Sequence, residues 1–188
     1  GNLTLKKFLI WRIKHIPNKQ FIHFVSIVVG ILSGLLAAVI KNTTYFFQQQ
    51  ITNVNIEYQS LFYFIFPILG ILLTLAIIRY GIKKPVNHGI PSVLYALSKR
   101  KGIMPAYQMF ASVFTAPITI GFGGSAGLEG PTVSGGASIA SNLSRLLHLN
   151  QATRSLLIGC AAAGAMSAIF KAPIAAIIFA IEVFSLDL

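Results

Sequence analysis

The sequence predicts an all-α, multi-pass membrane protein with broken, re-entrant helices, and three observations predict it. First, 55% of its 188 residues are hydrophobic and only 10% are charged, where a soluble domain averages about 25% charged. The mean hydropathy is +0.74. Second, apolar runs of membrane-spanning length recur along the chain. Third, glycine- and proline-rich breaks interrupt the later runs, and irregular backbone at membrane depth must be buried in protein or line a cavity.

Residues 1–18 alternate Lys6, Lys7, Arg12 and Lys14 with Leu5, Phe8, Leu9, Ile10, Trp11 and Ile13. This pattern predicts an amphipathic interfacial helix with a tryptophan anchor. Residues 19–188 form the expected transmembrane domain. Phe21–Ile40 is a first span of about 20 residues, enough for the roughly 30 Å hydrocarbon core; it carries Gly30 and Gly34 in a G-x-x-x-G spacing that permits close helix packing. Gln48–Gln59 is a polar loop, and Leu61–Ile78 is a second span followed by Arg79, Lys83 and Lys84. The bases before the first span and after the second put the N-terminus in the cytoplasm.

Beyond this point the pattern changes. Gly89–Ser98 is too short to span and ends at Lys99-Arg100-Lys101. Ile103–Ile120 is a moderate span broken by Pro105 and Pro117, and Gly121–Gly136 is dense in glycine. A helix continues over Ile139–Leu149. Leu156–Ile169 and Ile174–Leu188 are two further apolar helices separated by Lys171-Ala172-Pro173. The chain lacks an initiator methionine and stops inside an apolar segment, so it reads as a fragment.

Fifteen Lys and Arg stand against four acids, a formal charge of +11. The bases sit in short clusters between apolar runs, which fits anionic headgroups and the positive-inside pattern and excludes a nucleic-acid interface. Cys160 is the single cysteine and lies among small residues, as a buried structural thiol does. No metal or cofactor is expected.

Two breaks carry the chemistry. Asn87-His88-Gly89-Ile90-Pro91 and Gly127-Leu128-Glu129-Gly130-Pro131 each place glycine and proline where a short helix begins. Proline suits the first turn because its missing N–H has no helical partner there. The remaining first-turn N–H groups, reinforced by the helix dipole, form an anion site without a full positive charge. Such a site binds weakly enough to release the ion, which conduction requires. The alternative is that both are ordinary helix starts. Glu129 sits among Gly123, Gly124, Gly127 and Gly130 with no basic partner near it in sequence. An ionisable group in a membrane domain is costly and marks function. Its carboxylate is expected to occupy the anion position and block the path until protonation or a competing anion displaces it. A helix-capping role is the alternative.

These residues resemble the CLC family of chloride channels and proton–chloride antiporters. Gly127-Leu128-Glu129-Gly130-Pro131 followed by Thr132-Val133 is similar to that family's G-[RK]-E-G-P motif. Gly89-Ile90-Pro91 is similar to the end of its G-S-G-I-P motif. Gly159 to Gly164, Phe170 to Ala175 and Phe179-Ala180-Ile181-Glu182 resemble its later glycine–alanine and F-x-[IL]-E runs. The resemblance covers nearly the whole chain in order. It implies an inverted-repeat fold of which this chain is the first half, a homodimer, a cell-membrane location and chloride as the transported ion. It also implies anion-binding positions at His88, Gly89, Ile90, Pro91, Gly127, Leu128, Gly130 and Pro131, with Glu129 as the gate.

Three positions depart from the family pattern. The serine that helps coordinate chloride falls at His88, where an imidazole donates one hydrogen bond or, protonated, adds a positive charge; an unrelated loop histidine is the alternative. The motif base falls at Leu128. The antiporters' inner proton-accepting glutamate aligns with Val183, which carries no proton. That favours a channel, with a proton-coupled antiporter or a transporter of another anion as the alternative.

Other classes fit poorly. Gly121-Phe122-Gly123 with Gly124 lacks the strand and acidic residue of a dinucleotide site. His15, His23, His88 and His148 are scattered, and no second acid lies near Glu129, so no hydrolytic constellation forms.

Overall fold

The computed structural model describes Lys7 and residues 16–53, 59–87 and 89–184. The amphipathic helix expected over 1–18 therefore lies, apart from Lys7 and residues 16–18, outside the described residues. Seven α-helices, and no strand, occur among those described: α1 Asn18–Thr52, α2 Gln59–Ala76, α3 Ile90–Lys99, α4 Tyr107–Gly121, α5 Glu129–Leu146, α6 Gln151–Phe170 and α7 Pro173–Phe184. A π-helical turn, Ile77–Ile82, extends α2.

Helix α1 has 35 residues, about 52 Å at 1.5 Å per residue. It runs well past the expected end at Ile40 because no glycine or proline occurs between Gly34 and Pro67 to stop it. Thr44 Oγ1 and Thr52 Oγ1 donate back to the carbonyls of Ile40 and Gln48, so the polar extension satisfies itself locally. Helices α1, α2 with its π turn, and α6 are long and apolar enough to cross a membrane. Helices α3 and α7, with 10 and 12 residues, reach only about 15 and 18 Å, short of the roughly 30 Å core.

The centre is a bundle of α1, α5 and α6, with α4 packed beside α1 and α5, α7 against α6, and α3 against α5. Its interior is built from small side chains: Val29, Ala37, Val133, Ala137, Ala140, Ala161, Ala162 and Ala165 are fully buried. Small residues let backbones approach, which is how helices associate where lipid offers no hydrophobic drive. At the α1–α6 crossing a Cβ on Gly164 would lie 2.6 Å from the carbonyl oxygen of Gly30, so only glycine fits. Outward residues are large and apolar: Phe64, Ile68 and Leu72 on α2 are each more than half exposed, as a lipid-facing surface is.

Helix α5 begins at Glu129, so Gly130, Gly135 and Gly136 are helical. Its buried stripe is polar. Ser138 Oγ donates to the carbonyl of Pro105 and Ser141 Oγ to that of Gly102, at 2.8 and 2.6 Å. Ser141 Oγ also accepts from the Met104 N–H, and Asn142 Nδ2 donates to the Met104 carbonyl. These bonds hold the irregular 102–105 segment against α5 and meet its backbone requirements. Pro105 accordingly precedes α4, and only Pro117 lies within it.

Three loops converge at one end of the bundle. The Arg154 guanidinium donates to the carbonyls of Lys101 and Leu149, tying the α3–α4 turn to the α5–α6 turn. A cavity of about 450 Å³ beside them is lined by Ile16, Pro17, Asn18, Ile22, His148, Leu149, Asn150 and Thr153, which brings the start of α1 to the same end. Lys19, Lys99, Arg100, Lys101, Arg145 and Arg154 belong to these segments.

Candidate functional site: two helix N-termini and a carboxylate

Helix α3 starts at Gly89, whose φ of 99° and ψ of 172° lie where side chains are strongly disfavoured. Pro91 occupies the first turn. Ser92 Oγ donates to the Gly89 carbonyl at 2.8 Å, so it fastens the turn but caps none of its N–H groups. Among the described residues, no side chain caps this end.

Helix α5 starts the same way. Leu128 precedes it, no side chain caps it, and Glu129 stands in its first turn. Thr132, fully buried, donates from Oγ1 to the carbonyls of Leu128 and Glu129 at 2.8 and 3.0 Å. Ser134 Oγ donates to the Gly130 carbonyl. These hydroxyls occupy carbonyls and leave the leading N–H groups uncommitted.

The two starts meet. A Cβ placed on Gly130 would fall 3.1 Å from the Gly89 Cα and 3.5 Å from its nitrogen. The junction is backbone against backbone, and it brings the positive ends of two helix dipoles close together. Each is equivalent to roughly half a positive charge, enough to attract an anion while letting it leave.

Glu129 stands in the first turn of α5, immediately before Gly130. A Cβ on Gly127 would collide with its Oε2 and sit 2.9 Å from its Cδ, so the carboxyl group folds back across the bare Gly127 backbone. The side chain is half-buried. Among the described residues it forms no ion pair.

Of the residues singled out in the sequence, Gly89, Ile90, Pro91, Gly127, Leu128, Glu129, Gly130 and Pro131 are thus assembled in one region. His88 lies outside the described residues. Val183 is half-buried in the last turn of α7, packed on the same core as α6, while its neighbour Glu182 is exposed. Sequence reasoning missed Thr132 and Ser134, and it missed the serine clamp. The stripe Ser134, Ser138, Ser141 and Ser144 at helical spacing was the available signal.

Two helix starts without side-chain caps, glycine at their contact and a glutamate in the first turn of one of them are what this region assembles. The chain belongs to the voltage-gated chloride channel family, whose model matches residues 69–188. It is 28% identical over 166 residues to the H(+)/Cl(-) exchange transporter ClcA of Vibrio cholerae, a match covering 85% of this chain and 36% of that protein. It is 27% identical to ClcA of Salmonella typhi over the same share of the chain. It is 39% identical over 95 residues to the uncharacterized protein MJ0305 of Methanocaldococcus jannaschii, a match to 50% of this chain and 23% of that protein. The chain spans about a third of the length of the two ClcA proteins, 36% and 35%.

Proposed function

We propose that the protein carries chloride, or a similar small anion, across a lipid bilayer, along a path to which this chain contributes the N-termini of α3 and α5. The observation that carries this reading is the contact of Gly130, the residue after Glu129, with Gly89. Permeant anion would sit against the free first-turn N–H groups. Glu129, as carboxylate, competes for that place; protonated, it loses the charge that holds it near the dipoles and swings out. Membership of the family and the names of the ClcA relatives support chloride as the ion.

The clustering of Lys19, Lys99, Arg100, Lys101 and Arg154 at one end supports a cytoplasmic N-terminus. By the same family resemblance the protein works as a homodimer in the cell membrane, with this chain as the first of two inverted repeats.

Val183 supports passive conduction, because valine offers no site for a transported proton. A second reading, coupled exchange of protons and chloride, is supported by the printed activity of the ClcA relatives. The complete protein, reconstituted in liposomes under a chloride gradient, separates the two through the voltage of zero current at two pH gradients. A voltage that follows chloride alone supports the channel. A voltage that moves with the pH gradient rules it out in favour of exchange. No chloride current or flux at all sinks both.

A further inference from the structure

One buried polar group is left half-used beside the junction. Gln108, in the first turn of α4, is only 5% exposed. Its Nε2 donates to the carbonyl of Asn87 at 3.3 Å, and its Oε1 has no hydrogen-bond partner among the described residues. A buried amide with an unmet acceptor costs stability that an apolar side chain of the same size would not. What the glutamine supplies in exchange is a donor aimed at the segment that enters α3.

The backbone of Gln108 is itself anchored. Its N–H donates to the Pro105 carbonyl, 3.3 Å, and that oxygen also accepts from Ser138 Oγ of α5. Ser112 Oγ of the next turn donates to the Gln108 carbonyl at 2.9 Å. A continuous polar strut therefore runs from α5, through Pro105 and Gln108, to Asn87, two residues before the N-cap Gly89. It is a second connection between the helices whose starts meet at Gly89 and Gly130.

We propose that Gln108 is a positioning residue for the anion path: by holding the Asn87 carbonyl it fixes the direction of the backbone entering α3, and with it the aim of that helix's free N–H groups. It touches no ion. The inference rests on the anion-path reading above and deepens it. Without the donor the Asn87 peptide is free to turn, the N–H groups spread over more directions, and the anion is held less well, while the Glu129 gate on α5 is unaltered.

The test is Gln108→Met, which keeps length and volume and removes the donor, with Gln108→Leu beside it, each in the complete protein in liposomes. Initial chloride flux is measured against chloride concentration. The expected result is a rise in the half-saturating chloride concentration of roughly three- to tenfold, about what one lost hydrogen bond produces, with the maximal rate within about twofold. A loss of folded protein would lower the maximal rate alone. Wild-type flux with an unchanged half-saturating concentration in both variants overturns the inference and leaves the anion path standing. Failure of both variants to give monodisperse protein also overturns it, because Gln108 would then be a packing residue. Absence of chloride flux in the wild type overturns the anion-path reading and this inference with it.

Discussion

Among the described residues, two places bring glycine backbones into contact, and they serve opposite ends. At the α1–α6 crossing, Gly164 meets Gly30 in mid-helix, where every N–H and C=O is already committed to its own helix. That contact can only pack. At the α3–α5 junction, Gly89 and Gly130 meet at helix starts, where the first N–H groups have no partner within the helix. The same loss of a side chain yields close packing in one place and a bare, electropositive surface in the other. Position along the helix, rather than glycine content, makes the site.

The contrast can be broken from either side. The largest effect is expected from Gly164→Leu. Its Cβ alone would stand 2.6 Å from a backbone oxygen, and overpacking of this kind costs about 1–3 kcal/mol or more. Thermal unfolding in detergent should show a lowered midpoint or little folded protein. Gly130→Val places its Cβ 3.1 Å from the Gly89 Cα. The bundle should survive while chloride flux falls about tenfold or more, the equivalent of about 1.4 kcal/mol; intact flux would mean that the junction does not line the path.

Ser141→Ala sharpens the comparison away from both contacts. It leaves the Met104 N–H buried without its acceptor, a loss of about 1–3 kcal/mol, read as a lowered unfolding midpoint. The smallest effect belongs to the outer surface. Leu72→Ala on α2, where the side chain is 57% exposed, should change the midpoint by no more than about 0.5 kcal/mol's worth.

Much of this was legible in the sequence, for identifiable reasons. The starts of α3 and α5 could be read because glycine and proline mark a helix N-terminus through local chemistry. The apolar spans could be read because lipid imposes one composition along their whole length. The long α1 was less legible. Asn42, Thr43 and Gln48 to Gln50 look like a loop by polarity, yet nothing there breaks a helix. The partners of Ser138, Ser141 and Gln108 were not legible at all, since each lies on another segment: Pro105 and Gly102 for the serines, Asn87 for the glutamine. The sequence also placed Gly89 and Gly130 in separate breaks, and only the fold makes them one junction.

Glu129 is proposed above as a charged plug for the anion path. The most direct measurement is chloride efflux from liposomes holding the complete protein, wild type and Glu129→Gln, across a series of pH values from acid to neutral. The account predicts that wild-type efflux rises as pH falls and carboxylate gives way to carboxyl. It predicts that Glu129→Gln, which cannot carry the charge, is already in the fast state and flat across the range. An equally steep pH dependence in Glu129→Gln would contradict the account.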